Sequence, residues 1–124
     1  MGIKSNKTYI CPAELALDII GGKWKALVLL NLMNTTRRFS ELKRSIPGCT
    51  QKMLVKQLRD LEGSGLIKRR VHPEMPRKVE YSMSTYGKRI IPVLNTLCDF
   101  GKDYASRFKI HLGPLSNECK PSRT

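Results

Sequence analysis

The sequence predicts one mainly α-helical domain with a small β-hairpin, an α+β fold class. Three observations predict it. Apolar residues recur at helical spacing in four successive segments and again near the C-terminus. Between them, Val79, Tyr81 and Met83 alternate with Glu80, Ser82 and Ser84, the period of a half-buried strand. The 124 residues are enough for one hydrophobic core and too few for two.

The elements follow in order. The first ten residues are mostly polar and are expected to be flexible. Pro12 suits the first position of a helix that carries Leu15, Ala16, Ile19 and Ile20 and stops at Gly21-Gly22. A second helix, from about Lys23 to Met33, is apolar on most sides (Trp24, Leu27, Val28, Leu29, Leu30, Leu32) and is expected to be buried. After a turn at Asn34-Thr35-Thr36, Arg37-Arg38-Phe39 is a candidate minor strand. Ser40 is expected to cap a third helix with Leu42 and Ile46 turned inward. Lys43 stands three residues later, so Ser40 begins no capping box. Pro47-Gly48 breaks the chain. Thr50 caps a fourth helix that ends at Gly63 to Gly65. Leu66 to Val71 is a strand, His72 to Pro76 a turn-rich tip, and the alternating segment its hairpin partner. A last long helix begins at Ser84 or Thr85 and runs to about Phe108; Pro92 either kinks it or marks its true start. Residues 111–124 are rich in Gly, Pro, Ser and Lys and are expected to be disordered. The folded domain is therefore expected over 11–110. Two helices joined by a short turn and followed by a hairpin make the layout of a winged helix-turn-helix.

Charge gives the first indication of function. Lys and Arg number 23 against 10 Asp and Glu, a formal net charge of +13, with a pI near 10.0. The natural partner of such a surface is a polyanion, nucleic acid first. No stretch approaches the ~20 apolar residues of a membrane span. The lysines before Tyr9 lead into no apolar run, so no signal peptide is read. Met1-Gly2 is followed at position 6 by Asn6, which fails the myristoylation pattern. A cytoplasmic protein with no membrane partner is expected. Cys11, Cys49, Cys98 and Cys119 form no C-x-x-C pair, and neither His72 nor His111 lies at metal-ligand spacing. No metal site and no cofactor are expected, and four free thiols are the default in a reducing compartment.

The helix from Thr50 to Glu62 carries the functional pattern. Leu54, Leu58 and Leu61 share one face. At about 100° per residue, Lys52, Lys56 and Arg59 fall opposite. An apolar spine with a basic outer edge suits a helix that packs on its domain and enters the major groove. Gln51 stands in the first turn, where a side chain reaches base edges; Gln pairs with adenine, and Lys or Arg with guanine. An ordinary solvated surface helix would share the pattern. The hairpin favours the first reading: Lys68, Arg69 and Arg70 lie on its first arm, and Arg77 and Lys78 follow its tip. Arg37, Arg38, Ser40, Lys43 and Arg44 add phosphate-contact candidates around the third helix. The candidate DNA-binding set is Arg38, Ser40, Lys43, Thr50, Gln51, Lys52, Lys56, Arg59, Arg70, Arg77 and Lys78.

The last helix adds a second surface. Ile90, Leu94, Leu97, Tyr104 and Phe108 form one stripe, widened by Ile91 and Cys98. The stripe is broader than a small domain covers alone, and the first helix, through Leu15 and Ile19, is its companion in a homodimer. The competing reading is intramolecular core. Cys11 precedes Pro12 at a helix N-terminus with Lys4 and Lys7 nearby, and Cys49 precedes Thr50 likewise. Both placements favour a thiolate, so both cysteines are redox-sensing candidates, set against two ordinary thiols. Cys98 is expected in the core and Cys119 in the tail.

Several stretches resemble one family. Cys11-Pro12, Ala16 to Trp24, Arg38 to Leu42, Ile46-Pro47-Gly48, Gln51 to Leu54, Gln57 to Glu62 and Lys78 to Tyr81 resemble the HxlR-type regulators, related in fold to MarR proteins. The resemblance spans roughly Cys11 to Tyr104. It implies a homodimer joined through the first and last helices, with Gln51, Lys52 and Lys56 on the groove-reading helix and Arg77 and Lys78 in the wing. It also implies, for some members, sensing of electrophiles or oxidants through a cysteine matching Cys11. A Cys11–Cys49 bridge between subunits is an added hypothesis.

These readings combine into a sequence-specific transcriptional regulator that binds double-stranded DNA, on a roughly palindromic operator, as a homodimer. The alternative is a basic protein that binds nucleic acid without specificity, architectural or RNA-associated. Recognition of RNA would call for exposed aromatics; Tyr81, Tyr86 and Tyr104 are the candidates, and each fits core or interface. A pure protein-interaction module would leave the basic helix and wing unexplained. Enzymatic chemistry is not expected: Gly21-Gly22-Lys23-Trp24 lacks P-loop spacing, and no nucleophile–base pair is apparent.

Overall fold

The computed structural model describes residues 8–113. The expectations for residues 1–7 and 114–124, with Lys4, Lys7 and Cys119 among them, lie outside the described residues. Five α-helices and a three-stranded sheet follow the predicted order: α1 (Pro12–Ile20), α2 (Lys25–Asn31), β1 (Arg37–Arg38), α3 (Phe39–Ser45), α4 (Gln51–Gly63), β2 (Ile67–His72), β3 (Lys78–Met83) and α5 (Ile91–Phe108), the last preceded by a 3₁₀ turn (Gly87–Ile90). All pairings are antiparallel in the order β1-β3-β2.

One core holds the elements together. Val28 and Leu29 from α2, Leu32 just after it, Leu42 from α3, Leu54 and Leu61 from α4 and Leu94 from α5 are all fully buried or nearly so. Tyr81 and Met83 close it from the sheet. The period-two reading of β3 places its residues correctly, with Tyr81 and Met83 buried and Glu80 and Ser82 partly exposed. Facing positions in an antiparallel pair share a side of the sheet. Arg38 and Arg70 both oppose Glu80, and His72 opposes Lys78, so this charged set lies on the side away from the core.

Local chemistry sets the boundaries. The hydroxyl of Thr50 accepts the backbone N–H of Met53 at 3.1 Å, the N-cap read in the sequence. Ser40 does not cap α3. The cap position is Arg38, two residues earlier, and the Glu41 carboxylate accepts the backbone N–H of Arg38 at 2.7 Å. An acidic group three residues into a helix reaches back to its first free N–H as well as a serine reaches forward. Gly65, at φ +83°, turns the chain from α4 into β2. Pro92 marks the true start of the last helix: it occupies the first turn of α5, where its missing N–H removes no bond.

Candidate nucleic-acid interface

Helix α4 is anchored on one side and free on the other. Leu54, Leu58 and Leu61 are buried, whereas Gln51, Lys52, Lys56 and Arg59 are exposed. The predicted spine and outer edge are therefore separate faces. Arg38, Ser40 and Lys43 stand exposed around α3, and Arg70, Arg77 and Lys78 around the hairpin. All eleven candidate DNA-binding residues, the capping Thr50 included, are exposed. Arg37 is different. Its Nε donates to the carbonyl of Asn31 at 3.0 Å and it is only partly exposed, so it braces β1 against the end of α2 instead of facing outward.

Two carboxylates temper the basic surface. Asp60 on α4 receives Lys56 Nζ at 2.9 Å and Lys25 Nζ at 3.3 Å, with its side chain 12% exposed. Burial pushes its carboxyl up, but hydrogen bonds from cationic groups, Lys56 first and Lys25 among them, and the Lys25 charge outweigh this and hold it at about 2. In the hairpin, Glu80 Oε1 lies 2.7 Å from His72 Nε2. That hydrogen bond, with the charges of Lys78 and Arg38, holds the Glu80 carboxyl below its usual range. The sequence reading passed over both acids. Asp60 carries a local signal, the i,i+4 spacing from Lys56; the Glu80–His72 contact depends on strand pairing.

The cysteines divide. Cys11 is free and exposed at the N-terminus of α1. Cys49 is free but 1% exposed, and burial pushes its thiol up against the opposing pull of Lys43. The expected reactive thiolate at Cys49 is thus corrected: packing under the start of α4 outweighs the helix terminus. Cys98 is buried, as expected, but disulfide-bonded, against the expectation of four free thiols.

The proposed pairing surface is part core and part open face. Leu94 is 1% exposed and belongs to the core, while Leu15, Ile19 and Ile90 are half-buried. Leu97, Tyr104 and Phe108 are exposed, and so are Leu17, Val93 and Phe100, which the sequence reading left out. Phe100, Tyr104 and Phe108 form a ladder with ring centroids 6.0 and 4.6 Å apart. Beside it lies an apolar cavity of about 470 Å³ lined by Trp24, Leu27, Leu94 and Leu97 among others.

No helix among the described residues is long and apolar enough to cross a membrane. The chain is similar to an HTH-type transcriptional regulator of Methanothermobacter thermautotrophicus, 53% identical over 98 residues, covering 79% of this chain and 75% of that one. It is also similar to the HTH-type transcriptional regulator YkvN of Bacillus subtilis, 50% identical over 101 residues, covering 82% and 86%. Among solved structures, the redox regulator HypR in its reduced form superposes with a TM-score of 0.76 at 36% identity, covering 82% of this chain and all of that one. The model of the HxlR-like helix-turn-helix family matches residues 19–109, and with the winged arrangement of α3, α4 and the hairpin this places the chain in that family of transcriptional regulators.

Proposed function

We propose that the protein is a cytoplasmic, non-enzymatic transcriptional regulator that binds double-stranded DNA sequence-specifically as a homodimer, with residues 11–110 as the working domain. The observation that carries the reading is α4, with a leucine spine buried in the core and Gln51, Lys52, Lys56 and Arg59 exposed on its outer side. Two such helices suit a roughly palindromic site with half-sites about 34–36 Å apart, or a multiple of that. Gln51 reads a base edge, and Arg38, Lys43, Arg70, Arg77 and Lys78 hold phosphates on either side. The aromatic ladder on α5 supplies the apolar surface for pairing, with α1 beside it. The test is DNA affinity of Lys52→Ala and Arg59→Ala at physiological salt. Each is expected to weaken binding several-fold; full affinity in both would remove α4 from the interface.

A second function is carried by Cys11. It is free and exposed at the start of α1, which the proposed pairing surface includes through Leu15 and Ile19, and HypR bears the name of a redox regulator. We infer that oxidants or electrophiles act on Cys11 and shift the spacing of the two reading helices. Loss or gain of DNA binding on mild oxidation, abolished in Cys11→Ser, is the expected result. An unchanged response in Cys11→Ser contradicts it. The buried Cys49 thiol does not support a Cys11–Cys49 bridge.

A further inference from the structure

We propose that Asp60 restrains sequence-independent DNA binding, by holding Lys56 and Lys25 in ion pairs that withhold their charge from the phosphates any duplex offers. The proposal rests on the reading that α4 faces the groove, and it deepens that reading.

The geometry is specific. Lys56 and Asp60 are four residues apart on α4, one turn along the same side, and their charged atoms lie 2.9 Å apart. Lys25, the first residue of α2, approaches the same oxygen at 3.3 Å. The three groups differ in freedom. The Asp60 side chain is 12% exposed and Lys25 17%, whereas Lys56 is 68% exposed. A buried carboxylate on a short stem cannot swing away, so the long Lys56 side chain is the one that is tethered. A phosphate must compete with this carboxylate for the ammonium group. Lys52 and Arg59, on the same outer side, make no ion pair among the described residues and face no such competition.

The consequence bears on discrimination. Phosphate contacts carry no sequence information, so each cation free to take one strengthens binding to every duplex alike. In a chain of formal charge +13, indiscriminate adhesion is the hazard. One fixed acid in the last turn of the reading helix, away from Gln51 in its first turn, reduces it.

The test is titration of a mixed-sequence duplex with wild type, Asp60→Asn and Asp60→Glu over a series of salt concentrations, with thermal melts to show that each variant is folded. Freeing one cation is expected to steepen the slope of log affinity against log salt by about 0.9, and to raise affinity roughly 5–10-fold near 0.1 M salt. Asp60→Glu, which keeps the charge, is expected to retain the wild-type slope. A purely structural role would instead lower affinity and melting temperature together without steepening the slope. Should Asp60→Asn not fold, Lys56→Gln and Arg59→Gln decide: Lys56→Gln is expected to change the slope by less than half as much. An unchanged slope in folded Asp60→Asn, or equal losses in the two glutamine variants, overturns the proposal. Absence of wild-type binding to any duplex at low salt overturns the DNA reading itself, and that result is distinct from either.

Discussion

Asp60 and Thr50 each fix one end of α4, and each makes a measurable prediction. The Asp60 carboxyl, held at about 2, ionises below the unfolded value near 3.9. Its stabilising contribution is therefore complete above about pH 4 and lost as the pH falls towards 2. The loss is on the order of 2 kcal/mol. Urea unfolding across that window is expected to show it in wild type, with a flatter acid limb in Asp60→Asn. Thr50→Ala removes the cap and is expected to cost about 1 kcal/mol in the same measurement, because one N–H of the first turn loses its partner. Thr50 was legible in the sequence because capping is a local preference. Cys49, its neighbour, was not. A helix N-terminus alone predicts a thiolate; burial comes from the assembled core that Cys49 joins, which a window of sequence around it does not display. Arg37 was misread for a related reason: its partner is the carbonyl of Asn31, a backbone group that sequence does not display.

At the scale of elements, periodicity located the helices and strands but not which apolar stripes face inward. The α5 stripe included Leu94, which is core, and omitted Phe100, which is exposed. Spacing fixes a helical face; only the assembled core, which Leu94 and Cys98 join and Leu97 does not, says what covers it. The start of α3 lies two residues before the expected one because Ser40 and Glu41 are both competent to satisfy its first N–H groups. The turn before α5 shows a constraint that composition hides. A Cβ on Gly87 would collide with the backbone carbonyl of Leu66, where the end of α4 passes into β2. Gly87→Ala is therefore expected to destabilise the fold by roughly 3 kcal/mol or more, since backbone cannot yield as a side chain can. A melting temperature within a degree or two of wild type would contradict this constraint.

For the whole molecule, the two proposed surfaces make separable predictions. Phe100 and Tyr104 are exposed on α5, so Phe100→Asp and Tyr104→Asp are expected to leave the melting of the monomer nearly unchanged while moving the sedimentation of the protein from dimer to monomer. Sedimentation that stays dimeric in the double variant would place the pairing surface elsewhere. In the proposed complex the wing and α3 cations act on the duplex backbone, and their contribution is expected to fade with salt. Most of this architecture was legible, because the order of helices, turn and hairpin is written in local patterns. The pairing face was only half legible: its residues are identifiable, but their exposure depends on the assembled core.

The most direct measurement is selection of bound fragments from the source genome by the reduced protein at physiological salt, run beside Gln51→Ala. The account predicts enrichment of a few promoter fragments with a dyad sequence by wild type, and loss or change of that preferred sequence in Gln51→Ala, because the proposal has Gln51, exposed in the first turn of α4, read a base edge. Equal recovery of all fragments by wild type, or an identical preferred sequence in the variant, would contradict it.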